Sequence, residues 1–168
     1  YDEGLRTGNV TEPPKLIVQL SRMSQLSNEL IALNPDYFYL PLSGLARELG
    51  SAERLLAKKE KIAAVLPRVI GDHEAIEISE MLDTVRSLGI QEAVVGNLGH
   101  IEFVRSKGLK PRGDFGLNVF NSQAVAELKA AGLRSVTLSF ELGIPQIRDI
   151  SKSVDAEMIV YGRLPLMI

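Results

Sequence analysis

The sequence predicts an α/β fold of the TIM-barrel type, a (β/α) barrel truncated at about seven units. Three observations predict it. From Lys15 onward, short apolar runs of β character alternate with longer segments of helical period, the pattern of parallel strands joined by helices. The runs recur about every 20 to 25 residues, the length of one βα unit in a barrel. No glycine-rich dinucleotide fingerprint and no long crossover interrupt them, which disfavours the alternative, an open doubly wound sheet.

The elements follow in order. Residues 1–14, with Asp2, Glu3, Gly4, Gly8 and Pro13-Pro14, bury little and break regular structure, so they read as a linker. Residues 15–168 read as one barrel-like domain. Strands are expected at Leu16 to Leu20, Tyr37 to Leu40, Ile62 to Leu66, Glu92 to Val95, Asp114 to Val119, Val136 to Phe140 and Met158 to Tyr161, each short enough for a buried parallel strand. Met23, Leu26, Leu30 and Leu33 recur at helical spacing, and Asn34-Pro35 ends that helix because proline disfavours a helical residue before it. A second helix is expected from Ser51 to Lys61. A third, from about His73 to Leu88, turns Ile76, Met81, Leu82, Val85 and Leu88 inward and stops at Gly89. Asn97 and Asn121 stand where strands pass into helices and can cap exposed N–H groups. Gly108 and Gly132 follow helices ending near Lys107 and Ala131. No eighth strand is left before Ile168. With Tyr at position 1 and the apolar ending Leu166-Met167-Ile168, the chain reads as a piece of a longer protein.

Composition narrows the function. A chain of 168 residues buries roughly 70% of the surface its unfolded form exposes and needs no staple. It has no cysteine, which excludes thiol nucleophiles, thiolate zinc sites and iron–sulfur clusters held by this chain, so no cofactor is expected in the segment. A net charge of -2 argues against a dominant phosphate-binding surface. Lys58-Lys59-Glu60-Lys61 and Lys107, Lys110 and Arg112 could form small basic patches. No apolar run approaches the roughly 20 residues of a membrane span and no signal pattern opens the chain, so a cytoplasmic protein without membrane contact is expected. His73 and His100 lie on different units without metal spacing, so no metal site is expected. No serine sits in a Gly-x-Ser-x-Gly turn.

In either architecture ligands approach the C-terminal ends of the strands. Those positions hold Pro41, Arg68, Asn97, His100, Asn118, Asn121, Glu141, Tyr161 and Arg163. Glu141 is the catalytic candidate, because a carboxylate at the mouth of an apolar strand can have its pKa raised by burial and serve as acid or base. Equally, it is a carboxylate stabilising a helix N-terminus. Arg68, Asn97, His100, Asn118, Asn121 and Arg163 are the substrate-binding candidates, Arg163 as partner of Glu141 or as a bidentate anchor for a substrate carboxylate or phosphate. Taken singly, the asparagines are also helix caps, Arg68 a solvated cation and His100 an ordinary first-turn residue. Gly96-Asn97-Leu98-Gly99 reads as a tight turn before it reads as an anion cradle.

Four segments carry a family resemblance: Val94-Val95-Gly96-Asn97-Leu98-Gly99, Asp114-Phe115-Gly116-Leu117-Asn118-Val119-Phe120-Asn121-Ser122, Leu138-Ser139-Phe140-Glu141-Leu142, and Glu157-Met158-Ile159-Val160-Tyr161-Gly162-Arg163-Leu164-Pro165-Leu166-Met167. In this order and spacing they resemble peptidase family U32, the collagenase-like proteases, specifically from about Ala64 to Ile168. Leu66-Pro67-Arg68 fits its longer members. The resemblance implies a (β/α) barrel-type fold and a peptidase of unassigned catalytic type. It places Glu141 on the family's Arg-Glu-Leu glutamate and Asn118 and Asn121 on its two asparagines. Other branches are associated with hydroxylation of RNA bases or a quinone precursor and hold an iron–sulfur cluster through cysteines. This chain departs from the pattern twice. Asp114-Phe115-Gly116 stands where many members have Ser-Thr-Gln, and Tyr161-Gly162-Arg163-Leu164-Pro165 where they have His-Gly-Ala-Leu-Cys.

Two functions are therefore expected in competition. One is a peptidase domain acting on peptide or protein, with Glu141 as base. The other is a non-catalytic substrate- or RNA-recognition segment of a larger family member whose iron–sulfur hydroxylase activity lies elsewhere. The exposed edges of a truncated barrel also invite pairing with a second copy.

Overall fold

The computed structural model describes residues 13–48, 55 and 57–163. Seven strands form one sheet: β1 Ile17–Gln19, β2 Tyr37–Pro41, β3 Ile62–Val65, β4 Glu92–Val95, β5 Lys110–Gly113, β6 Ser135–Thr137 and β7 Asp155–Glu157. Each pairs in parallel with its sequence neighbour, in the order β1-β2-β3-β4-β5-β6-β7. A doubly wound sheet reverses its order near the middle; this one does not. The sheet curls into a half-barrel. In a flat sheet the five steps from β2 to β7, at roughly 4.8 Å each, would set those strands about 24 Å apart, yet the Tyr39 hydroxyl of β2 donates to Glu157 Oε1 of β7 at 2.7 Å.

Six helices lie among the described residues: α1 Asn28–Ala32, α2 Leu42–Arg47, α3 Ala75–Ser87, α4 Gly99–Ser106, α5 Ser122–Ala130 and α6 Ile144–Asp149. They cover the outer face of the sheet. Because side chains alternate along a strand, Phe38, Leu40, Ile62, Ala64, Ala93, Val95 and Val136 point outward and join Ile78, Leu82, Val85, Val104, Val125 and Leu128 of the helices in one core. The helices α3, α4 and α5 end alike, at Gly89, Gly108 and Gly132 with φ of 88°, 72° and 97°, a conformation that only glycine adopts cheaply. Ile90, Leu109 and Leu133 then donate back to the carbonyls of Val85, Val104 and Leu128, closing each end in a Schellman motif.

Several expected elements move. The fifth strand is Lys110–Gly113, not Asp114 to Val119, although Val119 still forms an isolated bridge with Leu138. Pro111 tolerates a central strand here because residue 111 faces β6, where its carbonyl accepts from Arg134 N–H at 2.8 Å and the ladder has one registered pair, Gly113↔Val136. The missing proline N–H falls on that thin side, while four pairs join β5 to β4. The seventh strand is Asp155–Glu157, and Met158, Val160 and Tyr161 lie beyond it with exposed side chains. The helix expected from Met23 to Leu33 divides into a 3-10 turn, Met23–Gln25, and the short α1. Ser27 intervenes, its hydroxyl accepting from Leu30 N–H at 3.2 Å. Ile76 is exposed rather than inward, because it precedes Ile78 by two residues, about 200° around the helix from the stripe of Ile78, Met81, Leu82 and Val85. Arg112 belongs to no surface patch, being buried inside the sheet, while Lys107 pairs with Asp83 and Lys58 and Lys61 donate to Asn34. Most of the linker, residues 1–12, and most of the helix expected at 51–61 lie outside the described residues. No described helix is long and apolar enough to cross a membrane.

Candidate functional site

The inner face of the curled sheet is charged. Tyr39, Ala63 and Val94 pack with Ile17, Tyr37 and Val65, and the same alternation brings Glu92, Arg112 and Glu157 into that space. Arg112 is its centre. Its Nη1 donates to Glu92 Oε2 at 2.7 Å, its Nη2 to Glu157 Oε1 at 3.1 Å and its Nε to the Tyr39 hydroxyl oxygen at 2.6 Å. The guanidinium also lies over the Tyr37 ring, 4.3 Å from its centroid, a favourable cation–π placement. Side-chain exposures of 6% for Arg112, 14% for Glu92 and 12% for Glu157 show that these charges are largely out of water. Such a cluster persists only because each charge is paired and hydrogen-bonded. Burial opposes the charge on Arg112, but Tyr39, Glu157 and Glu92 outweigh it, and its pKa rises. Burial and the neighbouring Glu157 carboxylate push the Tyr39 hydroxyl above its ordinary range, so it stays protonated and donates.

At the C-terminal end of β5 the same inward row reaches Asp114. This carboxyl is buried, at 8% exposure, and burial raises its pKa, with Glu157 adding to the shift and the Phe115 N–H and Arg68 opposing it. Asp114 Oδ1 accepts from Phe115 N–H at 2.8 Å. Arg68, leaving β3, lays its guanidinium over the Phe115 ring at 4.6 Å, and Phe115 meets Phe140 edge to face at 6.0 Å. Glycine makes this mouth possible. A Cβ on Gly116 would lie 2.7 Å from the Gly96 carbonyl oxygen and 3.4 Å from the Arg68 guanidinium, so the loops after β4 and β5 touch through bare backbone.

The expected site residues divide. Arg68 reaches the mouth beside Asp114. Asn97 accepts from Gly99 N–H at 2.9 Å and Asn121 from Ala124 N–H at 2.8 Å, so both act as turn and helix caps. Asn118 ends a 3-10 turn, Phe115–Leu117, in the left-handed region at φ 55°, which asparagine tolerates. His100 turns inward at 8% exposure, its Nδ1 without a hydrogen-bond partner, and burial lowers its pKa. Glu141 is exposed in the turn from Ser139 to Leu142, and its N–H donates to Ser139 Oγ at 3.4 Å. Among the described residues neither Glu141 nor the exposed Arg163 forms an ion pair.

Sequence reading missed Asp114, Glu157, Tyr39, Arg112 and Glu92 as a group. Only a partial signal existed: buried parallel strands are near-continuously apolar, so Glu92 at the start of the fourth expected strand is out of place there, whereas Arg112 and Glu157 fall outside the expected strands.

A cluster held by cysteine thiolates does not fit these residues, since the chain has none. No curated protein and no solved structure matches the chain. The family model described as Peptidase family U32 matches residues 47–168, starting ahead of the region where the motifs become specific. That match takes in every strand from β3 to β7 and the whole of the Asp114 mouth, and the chain is a member of peptidase family U32.

Proposed function

We propose that the C-terminal mouth of the half-barrel hydrolyses peptide bonds, with Asp114 as general base and then acid. The observation that carries this reading is a buried carboxyl at a strand's C-terminal end with a cationic side chain beside it, in a chain of a peptidase family. A pKa moved up toward neutrality makes the ionised form a stronger base. In the step, the Asp114 carboxylate takes a proton from water as its oxygen bonds the scissile carbonyl carbon. The Arg68 guanidinium faces the developing oxyanion. The C–N bond then breaks and the proton passes from Asp114 to the leaving amine. Glu141 is the second carboxylate at this rim, and its side chain stands in water.

Purified protein assayed on gelatin and mixed peptides tests the reading. Asp114→Asn is expected to lower kcat/KM by about 10² to 10⁴-fold, with Glu141→Gln changing it far less. The reverse order would make Glu141 the base. A wild-type protein without activity on any peptide would remove hydrolysis by this chain.

A second reading is favoured by the side chains Leu98, Phe120, Phe140, Met158 and Val160, all exposed on segments after β4, β5, β6 and β7. Together they suit recognition of a substrate or RNA for an activity carried elsewhere. Under that reading Asp114→Asn leaves binding intact, and RNA binding weakens steeply as salt rises.

A further inference from the structure

Phe140 and Glu141 stand side by side at the tip of one tight turn. The turn is closed by Leu142 N–H donating to the Ser139 carbonyl at 3.2 Å and braced by Ser139 Oγ, which is buried and accepts from Glu141 N–H. The Phe140 ring is held edge to face by Phe115, whose own face is taken by Arg68. Half of Phe140 nevertheless remains in water, at 51% exposure. An aromatic side chain held in position and still half exposed has low entropy to lose when a second apolar group covers it. Beside it, Glu141 is a carboxylate with no ion pair among the described residues. The turn follows β6 and reaches Asp114 through Phe115, the next residue in the chain.

We infer that this turn is a specificity subsite that takes a large apolar, best aromatic, side chain of a peptide immediately beside a cationic residue. The inference rests on the peptide reading of the Asp114 mouth and names its substrate class. The Glu141 carboxylate, without an ion pair among the described residues, disfavours nucleic acid as the occupant, because it would repel phosphate at the place where a base would stack. It favours lysine or arginine next to the side chain on Phe140.

Isothermal titration into the Asp114→Asn protein separates recognition from cleavage. The probes are short glycine–serine peptides carrying one Phe-Lys, Ala-Lys or Phe-Glu pair. Phe-Lys is expected to bind roughly tenfold tighter than Ala-Lys and about two- to fivefold tighter than Phe-Glu, the second difference fading with salt. Phe140→Ala is expected to erase the first preference and Glu141→Gln the second. Both side chains are exposed, so unchanged melting temperatures serve as the folding control. Equal affinity for all three peptides, or preferences that survive Phe140→Ala, would overturn the subsite. So would sedimentation in which Phe140→Ala turns a dimer into a monomer, since a second copy would then occupy the turn. Cleavage by wild type without aromatic preference removes the subsite alone, whereas selective binding without cleavage leaves it standing and removes hydrolysis.

Discussion

The two faces of the same seven strands are stabilised by different physics. On the outer face, Val95 and Val136 of the strands and Leu82 and Val85 of helix α3 are fully buried, and hydrophobic area with close packing carries the energy. On the inner face, Arg112 gathers two carboxylates, one hydroxyl and two aromatic rings from β2, β4 and β7. Outside, many interchangeable contacts act independently. Inside, a few directional ones depend on one another, so each residue removed leaves a partner stranded. The contrast explains how β7 is held opposite β2 with no strand pairing between them: the clasp does across the interior what the ladder does along the sheet.

The sharpest way to break the comparison is to delete one member from each face. Leu82→Ala should cost about 2–5 kcal/mol in urea unfolding, and Arg112→Met about 3–5 kcal/mol, because Glu92 and Glu157 lose their shared countercharge. The faces should differ on repair. Adding Glu92→Leu and Glu157→Leu to Arg112→Met should recover most of the loss, whereas a second truncation beside Leu82 should only deepen it. Failure of the triple variant to recover would mean that the inner face is not an ion cluster in the energetic sense.

A smaller effect is expected at the seam between the loops. Gly116→Ala puts a methyl group against the Gly96 carbonyl, and overpacking against backbone costs about 1–3 kcal/mol. The urea midpoint should fall without a change in m value. An unchanged midpoint would show that the loops part freely.

The smallest effect is the pH dependence of Asp114. Burial raises its folded pKa, so just above the ordinary aspartate range the native state binds more protons than the unfolded chain. Stability from this group is present at low pH and declines as pH rises through the folded pKa. Asp114→Asn keeps an acceptor for the Phe115 N–H and removes the titration. Its melting temperature should gain on wild type as pH rises from about 4 toward neutral and then run parallel. A difference that shrinks over that range would mean the carboxylate is stabilised in the fold.

Much of this molecule was legible in the chain. The alternation of apolar runs and helical stripes determined seven parallel units, because burial on the helix-facing side demands local periodicities that any window of sequence displays. The caps at Asn97 and Asn121 and the stops at Gly89, Gly108 and Gly132 were equally local, since each concerns bonds within one turn. Motifs spread through the second half determined the family. Only the tertiary structure decided the site. Lys110-Pro111-Arg112-Gly113 reads as a loop until β4 is seen to supply its hydrogen bonds and Glu92 and Glu157 its countercharges. Asp114 looks like the start of a strand until the sheet curls and takes it out of water. Glu141 looks buried until its turn lifts it clear. Exposure, pairing and pKa belong to groups that meet across as many as 118 residues of chain, and no local pattern encodes which distant strand will face them.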